Sequence, residues 1–413
     1  MRVLWFSNCM LSQTSTSTGS WLYSMAELIT RNTTIHLTNI VINSCRKDII
    51  KSVISSNFDE YEIPNKFLAC LRRRFSKKKK YIIKQIIDSI SPDIVHVWGV
   101  ENPFCFFVPD WFKEVPCLLE IQGLRGPCSE VFYGDLSISE IMKCIGLKEL
   151  LFPFKYSLPI QKKKFAIKGM DDVLVLKKYR YISTQSDWIR SYIEYYSSAI
   201  IYETAISVRN PFMQLTWKYP LNGEKAFITI SSGPIPYKSI QTAVKALSIA
   251  QKKYNDIKLY IVGDFVSNYK SSGYLFYIKR LIKKLGLEQN VIFTGSLSAD
   301  KLASLMLSCL GLIQTSYVES YSLVVAEGMS IGIPCIVSYA GAMPELAINN
   351  HSALFYSPGD YFSCSNKMIR LIVNVELAES LSENSKMIAR KRNNEDYVLQ
   401  TQLNIYNDIL AKF

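Results

Sequence analysis

Short β-branched runs alternate with longer stretches of helical spacing along most of the chain. RVLWFS (2–7) and KAFITISS (225–232) are largely apolar, which is typical of buried strands. The stretch SWLYSMAELITRN (20–32) instead repeats apolar residues at helical spacing. This alternation predicts parallel sheets with helices on both faces, which is an α/β fold.

The alternating pattern pauses at VRNPF (208–212), an Asn-Pro turn, and then restarts with a new strand. A chain of 413 residues is too long for one ordinary core. We therefore predict two doubly wound domains, residues 1–207 and 212–396, and expect the helix at about 397–413 to pack back on the first. Two such domains leave a cleft between the carboxyl ends of their sheets, where open α/β sheets bind ligands.

The composition, 48% hydrophobic and 20% charged, is typical of a folded globular protein. No apolar run reaches the roughly 18 residues that a spanning helix needs, and the apolar start is too short for a secretory signal. The ten cysteines are scattered and the three histidines stand alone. We therefore expect a cytoplasmic protein with reduced thiols, without a zinc site or a disulfide framework.

The formal net charge is +13, and much of the excess lies in RRRFSKKKK (72–80) and KKKFAIK (162–168). A solvated basic face, an anionic membrane surface and nucleic acid are the alternatives for such runs. No RNP-like strand, helix-turn-helix pattern or zinc finger accompanies the charge. We therefore expect contact with anionic lipid rather than with nucleic acid, and the solvated face remains the plain alternative.

The segment ESYSLVVAEGMSIGIPC (319–335) places a carboxylate on either side of a helix start. Glu319 lies in the loop that follows the strand LGLIQTS, and Glu327 lies inside an apolar helix that begins near Leu323. Free N–H groups and the helix dipole make such a start a phosphate site. Either Ser320 or Ser322 can cap the helix.

Glu327 has no cation close to it in the sequence, and a buried carboxylate is costly unless it accepts hydrogen bonds. Ribose hydroxyls would supply them. The pattern therefore fits a sugar nucleotide, with the ribose on Glu327, the diphosphate at the helix start and a hexose against Glu319. The plain alternative is that Glu319 caps the helix and Glu327 bonds to backbone.

The residues that follow extend the pattern with Gly332-x-Pro334, then GAMPE (341–345), and then Pro-Gly-Asp at 358–360. The whole stretch 319–360 resembles the signature of the retaining GT-B glycosyltransferases of family 4. The resemblance implies a GT-B fold, in which two doubly wound Rossmann-like domains face each other across a cleft. It is strong only over the second domain, from about residue 226 to residue 360.

Upstream motifs extend the resemblance to other residues. IVGD (261–264) is similar to a strand end of the family, and Lys238 lies where the family has a phosphate-contacting lysine. The resemblance implies that the donor is bound by Gly19, Ser20, Lys238, Gly263, Glu319, Ser320, Tyr321, Ser322, Leu323 and Glu327. It implies catalytic roles for Glu319, Lys238 and His96, and an acceptor side near Gln122 and Trp98. His96 can also be a core histidine, and Trp98 a packing residue.

Three positions depart from the family pattern. Gly233 replaces an arginine that commonly precedes the lysine, Ser20 replaces the second glycine of a pair, and Gln122 replaces a histidine before glycine. Serine hinders backbone approach to a phosphate more than glycine does. The Gln122 amide still offers a donor and an acceptor near the expected reacting carbon.

The resemblance implies a retaining transferase that moves a hexose from a nucleotide diphosphate sugar to a glycan acceptor. The first domain has no Asp-x-Asp of the kind that holds a divalent ion in the other main glycosyltransferase fold, so we expect metal independence and no cofactor. From the charge we expect a lipid-linked acceptor in surface polysaccharide or lipopolysaccharide synthesis, at the inner face of the cytoplasmic membrane. An epimerase or phosphorylase of the same fold is one alternative. A basic scaffold with an inactive cleft, binding membrane or nucleic acid, is the other. The chain lacks the dinucleotide and P-loop glycine motifs, which disfavours dehydrogenases and P-loop enzymes.

Overall fold

The structure is a computed structural model, and it describes residues 1–11, 20–43, 49–64, 77–220, 224–265 and 273–413. The chain divides into two compact units. The first unit comprises Met1–Leu124, Met170–Ser207 and Asn393–Phe413. The second unit comprises Arg125–Gly169 and Val208–Arg392.

The sheet of the first unit has the strand order β3-β4-β2-β1-β5-β6-β7-β8 within the described ranges. Its strands are β1 (Arg2–Ser7), β2 (His36–Asn43), β3 (Ile50–Ser55), β4 (Phe58–Pro64), β5 (Ile94–Trp98), β6 (Cys117–Ile121), β7 (Tyr181–Thr184) and β8 (Ile200–Glu203). Neighbours run parallel, except that β3 pairs antiparallel with β4 at the sheet edge. The predicted parallel α/β sheet is therefore confirmed, with one antiparallel edge strand added.

Helices connect these strands and also form a block between β6 and β7. In chain order they are α1 (Ser20–Asn32), α2 (Lys77–Ile90), α3 (Val108–Trp111), α4 (Arg125–Glu130), α5 (Ile138–Lys143), α6 (Leu147–Leu151), α7 (Pro153–Tyr156), α8 (Leu158–Leu176) and α9 (Asp187–Tyr196). The central strands β1, β5 and β6 are buried over nearly their whole length, as their continuous apolar runs predict. Their side chains form the core of the first unit.

The second unit has a sheet in which every paired neighbour is parallel, with the order β11-β10-β9-β12-β13-β14. Its strands are β9 (Ala226–Ile230), β10 (Lys258–Val262), β11 (Val291–Gly295), β12 (Gly311–Gln314), β13 (Cys335–Ser338) and β14 (Leu354–Tyr356). The first strand in sequence, β9, lies beside β12, so the chain changes direction across the sheet between them. Open α/β sheets bind their ligands beyond the strand ends at such a switch point.

The remaining helices follow this sheet and then end the chain. They are α10 (Asn210–Gln214), α11 (Ile240–Gln251), α12 (Gly273–Lys284), α13 (Ala299–Leu307), α14 (Leu323–Ile331), α15 (Met343–Leu346), α16 (Tyr361–Val373), α17 (Val375–Arg392) and α18 (Glu395–Lys412). None of the helices in the described ranges combines the length and apolar character required to cross a bilayer.

The unit bounds differ from the predicted domain bounds by four residues at 208–211 and at 393–396, and by a whole segment at 125–169. Residues 125–169 were assigned to the first domain, whereas the structure groups them with the second unit. The physical reason is a set of buried polar contacts. The Asp135 carboxylate accepts hydrogen bonds from Ser239 and Gln241, and Glu149 accepts one from the Gly273 N–H at 2.6 Å. The chain end from Asn393 belongs to the first unit, where the Asn393 side chain donates to the Ile206 carbonyl at 2.8 Å.

Candidate functional site

Two loops flank the switch point of the second unit, and each contributes one of the predicted site residues. Lys238 ends a short 3-10 helix, Pro236–Lys238, in the loop after β9. Glu319 lies in the loop after β12. The Lys238 Nζ donates to Glu319 Oε1 at 2.6 Å, although the residues are 81 positions apart. The Thr315 hydroxyl donates to the Lys238 carbonyl at 2.6 Å and ties the two loops together.

Three side chains bond one oxygen of the Glu319 carboxylate, Oε1. Gln314 Nε2 and the Ser316 hydroxyl donate to the same Oε1, each at 2.6 Å, alongside Lys238. Within the described residues no donor bonds Oε2. Glu319 is nearly buried, with 8% exposed. Oε2 keeps its acceptor sites for a ligand hydroxyl.

A tight turn fixes the backbone at Glu319. The Ala342 N–H donates to the Glu319 carbonyl at 2.9 Å. Gly341 has a φ of +53°, and a Cβ on it would lie 2.1 Å from the same carbonyl oxygen. Glycine is therefore required there, and the GAMPE motif has a structural explanation beside Glu319.

The start of α14 lies directly after Glu319. Ser322 is the N-cap residue, but its side chain makes no capping hydrogen bond, which corrects that part of the predicted capping. The reason is its backbone: with φ 73° and ψ 79° it is left-handed, whereas a capping side chain requires extended backbone. Its hydroxyl instead accepts from Gln314 at 3.3 Å. The first N–H group of α14 that bonds within the helix is that of Val325, which donates to the Ser322 carbonyl. The N–H groups of Leu323 and Val324 come earlier in the helix and have no acceptor inside it.

Glu327 is fully buried in α14, as predicted, but it has a cation beside it. Arg209 donates to it at two points, from Nε to Oε1 at 2.5 Å and from Nη2 to Oε2 at 2.6 Å. Burial raises the pKa of Glu327 and Arg209 opposes that shift. The sequence places no cation near Glu327, and in the structure its cation, Arg209, comes from 118 positions upstream. A ribose contact at Glu327 stays a prediction.

Gly263 follows β10, beside the end of β9. Its φ is +135°, and a Cβ there would lie 1.7 Å from the Ser231 carbonyl oxygen. The Ser231 N–H in turn donates to the Val262 carbonyl at 3.0 Å. The glycine lets two strand ends approach closely. A donor contact at Gly263 stays a prediction.

His96 and Trp98 lie in the core of the first unit. Both are at most 1% exposed, and their rings stack at 3.9 Å. His96 Nδ1 is 2.8 Å from the Tyr406 hydroxyl, and its Nε2 is 4.0 Å from Glu120. Burial lowers the pKa of His96 well below its usual value, so the ring is neutral. These observations fit the core interpretation of both residues, because neither presents a surface to a ligand.

The other predicted residues of the first unit have less structural definition. Gln122 follows β6 and is half-buried. Gly19 and the side chain of Ser20 lie outside the described residues. Roles for these three positions stay predictions.

The sequence did not single out Arg209, Gln314 or Ser316. Gln314 and Ser316 stand in the strand end LGLIQTS, where polar residues after an apolar run were the available signal. Arg209 stands in the Asn-Pro turn at which the sequence predicts a domain boundary. Its partner lies far away in sequence, and no local pattern marks such a pair.

Residues 213–387 match the model of the family described as glycosyl transferases group 1. A curated relative, N-acetyl-alpha-D-glucosaminyl L-malate synthase of Bacillus anthracis, is 27% identical over 48% of this chain and 49% of its own. The chain spans about half the length of the first curated relatives it matches.

Two solved structures are similar over the whole chain. Sucrose-phosphate synthase from Thermosynechococcus elongatus has a TM-score of 0.72 at 14% identity, with 100% of both chains covered. Anabaena HepE in complex with UDP-glucose has a TM-score of 0.69 at 15% identity, also with 100% of both chains covered. These likenesses confirm the predicted GT-B fold. Together with the family model they support the class of group 1 glycosyltransferases.

Proposed function

We propose that the protein is a retaining glycosyltransferase of family 4, which moves a hexose from a nucleotide diphosphate sugar to a glycan acceptor. The observation that carries this proposal is the Lys238–Glu319 pair at the switch point, directly before the uncapped start of α14. It places a cation, a carboxylate and the first N–H groups of a helix on neighbouring loops of one Rossmann-like unit. These are the groups that a diphosphate sugar requires.

In the proposed reaction the sugar C1–O bond to the diphosphate breaks, and the acceptor hydroxyl oxygen bonds to C1 on the same face. The acceptor proton passes to the departing phosphate oxygen, so the step is balanced without another base. Lys238 and the N–H groups at the start of α14 stabilise the negative charge that develops on the diphosphate. Glu319 Oε2 accepts a hexose hydroxyl and orients the ring. The resemblance includes neither a metal nor a cofactor, and we propose none.

The finer parts of the proposal concern the acceptor. The net charge of +13 favours an acceptor that resides at an anionic surface. We propose a lipid-linked glycan of surface polysaccharide or lipopolysaccharide synthesis, met at the inner face of the cytoplasmic membrane. The hexose, the base and the linkage are left to experiment.

Thermal shift with UDP-, GDP- and ADP-sugars tests donor binding. We expect one of them to stabilise the wild-type protein and Lys238→Met to lose that shift. Lys245→Met is the matched control, because Lys245 is also an ion-paired lysine of the second unit, bonded to Asp135 at 3.4 Å and Glu140 at 3.3 Å. Absence of a shift with every nucleotide sugar would favour the inactive scaffold.

Product analysis separates the transferase from the epimerase of the same fold. A transferase releases nucleoside diphosphate in proportion to added acceptor, whereas an epimerase converts the donor without one. The anomeric proton coupling of the product, measured by NMR, tests retention. Turnover in the presence of EDTA tests metal independence, and a loss restored by a divalent cation would overturn that part.

A further inference from the structure

A set of apolar side chains in the second unit faces solvent. We call it the apolar strip, and it comprises Ile138, Met142, Leu147, Leu150, Leu151 and Phe154. The least exposed of them, Met142, is 60% exposed and the most exposed, Phe154, is 83% exposed. Its residues span 17 positions (138–154) on the consecutive helices α5, α6 and α7. Isolated exposed apolar residues are ordinary, but six of them on three consecutive short helices indicate an interaction surface.

The opposite side of residues 138–154 is polar and packs against α12. The Glu140 carboxylate accepts from the Tyr277 hydroxyl at 2.6 Å, and Glu149 accepts from the Gly273 N–H at 2.6 Å. Cys144 is buried between them, and a Cβ on Gly273 would lie 1.4 Å from the Cys144 carbonyl oxygen. The segment is therefore held against α12 by its polar residues while its apolar residues point outward. This is the reverse of the usual pattern for a helix at a protein–water surface.

The charge of the outward side is positive. Both acidic residues of 138–154 are bonded inward, whereas Lys143 and Lys148 are exposed. The following helix α8 adds exposed lysines within the second unit, Lys163, Lys164 and Lys168. A self-complementary contact between two copies would bring these like charges together. An anionic lipid surface instead attracts them and accepts the apolar side chains.

We propose that the apolar strip inserts into the interface of a bilayer that contains anionic lipid, with Lys143 and Lys148 against the headgroups. This inference rests on the membrane partner in the proposed function and does not depend on the transfer chemistry. It assigns the contact to apolar side chains of α5 to α7, whereas the sequence pointed only to basic runs.

Co-sedimentation of the full chain with vesicles tests the strip. The vesicles contain phosphatidylcholine with about one third phosphatidylglycerol, or phosphatidylcholine alone. We expect the triple variant Leu147→Gln, Leu150→Gln, Phe154→Gln to bind the anionic vesicles ~1,000-fold more weakly, because each buried apolar side chain contributes about tenfold. The pair Lys143→Gln, Lys148→Gln should weaken binding about 30-fold, at ~5-fold for each lysine.

A matched control replaces exposed apolar residues elsewhere in the second unit. Ile348, Phe362 and Val373 are 57%, 65% and 59% exposed, so Ile348→Gln, Phe362→Gln, Val373→Gln removes similar area outside the strip. This control should bind vesicles as the wild type does. The nucleotide-sugar thermal shift should be unchanged in the strip variant, which separates loss of the membrane contact from loss of the donor site.

Phe154→Trp provides a direct readout of insertion. Its added emission should shift to the blue and resist aqueous quenchers when anionic vesicles are present. Wild-type affinity of the triple variant would overturn the proposal. It would also be overturned if light scattering showed a dimer of the wild-type chain that the triple variant loses while vesicle binding persists.

Discussion

Arg209 and Glu327, 118 positions apart in the chain, form a two-point ion pair that joins the start of α10 to the interior of α14. The carboxylate is fully buried and the arginine side chain is 15% exposed. Two parallel N–H···O bonds are the geometry in which arginine binds a carboxylate most firmly. The pair fixes α14, whose first turn follows Glu319 in the chain, and so it helps to position the candidate site.

Arg209→Met should destabilise the second unit by roughly 3–5 kcal/mol, because it leaves the Glu327 carboxylate buried without its cation. The double variant Arg209→Met, Glu327→Gln should recover part of that loss, since no buried charge remains. Urea unfolding followed by 19F NMR of 5-fluorotryptophan at Trp217 reports on this region, because the backbone N–H of Trp217 donates to the Ile331 carbonyl at the end of α14. A double variant as unstable as the single one would contradict the charge explanation.

The pair also shows where reasoning from sequence reached its limit. Glu327 was recognised as a buried carboxylate because it stands in an apolar helix, and that is how it is placed. Its cation could not be recognised, because periodicity reports only neighbours a few positions away. The same holds for Lys238 and Glu319, which only the resemblance to a family assigned to one site.

Strands were predictable where an apolar run marked them, as in β1, β5 and β9. β3 and β4 were missed because their residues look like loop residues. β3 is largely exposed, and β4 carries Glu60 and Glu62, which are nonetheless buried in the structure at 1% and 3% exposure. Asn39 donates to Glu60 at 2.9 Å and compensates that burial. Strand prediction depends on β-branched and aromatic residues and treats acidic residues as unfavourable, so buried acids that bond across strands are missed.

Gly263→Ala should prevent the second unit from folding, because the new Cβ would lie 1.7 Å from the Ser231 carbonyl in a backbone with φ +135°. Gly286→Ala is the matched control, since Gly286 also has a positive φ, +66°, but nothing lies within 4 Å of its Cβ position. The control should lose only about 1 kcal/mol of stability. Soluble yield and the Trp217 19F signal check both variants. Equal behaviour of the two alanines would show that the close approach of the strand ends does not matter.

Tyr406→Phe should destabilise the first unit by roughly 2–3 kcal/mol. The Tyr406 hydroxyl accepts from Trp5 Nε1 at 3.0 Å and lies 2.8 Å from His96 Nδ1, so its removal leaves two buried nitrogens without a partner. Tyr397→Phe on the same helix is the control, because Tyr397 is 56% exposed and should change stability by less than ~0.5 kcal/mol. Urea unfolding followed by tryptophan fluorescence makes the comparison. Equal midpoints for the two variants would argue against an anchoring role for this hydroxyl.

The same hydroxyl sets the tautomer of His96. Its oxygen accepts from Trp5 and lies 2.8 Å from His96 Nδ1, so we expect its proton to go to Nδ1 and the imidazole to carry its own proton on Nε2, toward Glu120. We expect the 15N shifts of His96 to be those of the neutral Nε2–H form, with no titration at pH 6. An Nδ1–H form would show that the tyrosine accepts from the histidine instead.

Glu120 makes the stability of the first unit depend on pH. Burial raises the pKa of this carboxyl from 4.5 to about 7, against the lowering effect of hydrogen bonds from Ser183 and Gln185. Between pH 4.5 and about pH 7 the folded chain binds more protons at Glu120 than the unfolded chain does. The contribution of Glu120 to the free energy of unfolding therefore falls as the pH rises through this range. The full difference is about 3 kcal/mol. His96 acts with the opposite sign, because its lowered pKa costs stability as pH falls below its unfolded value.

Glu120→Gln isolates the carboxyl from the histidine. The free energy of unfolding of the wild type, relative to this variant, should fall by about 2.5 kcal/mol between pH 5 and pH 8. Urea unfolding at pH 5, 6, 7 and 8, followed by tryptophan fluorescence, measures the difference. Because His96 remains in both proteins, its own titration cancels to first order. Parallel pH curves for the two proteins would mean that Glu120 is ionised in the folded chain throughout this range, with its charge fully compensated by Ser183 and Gln185.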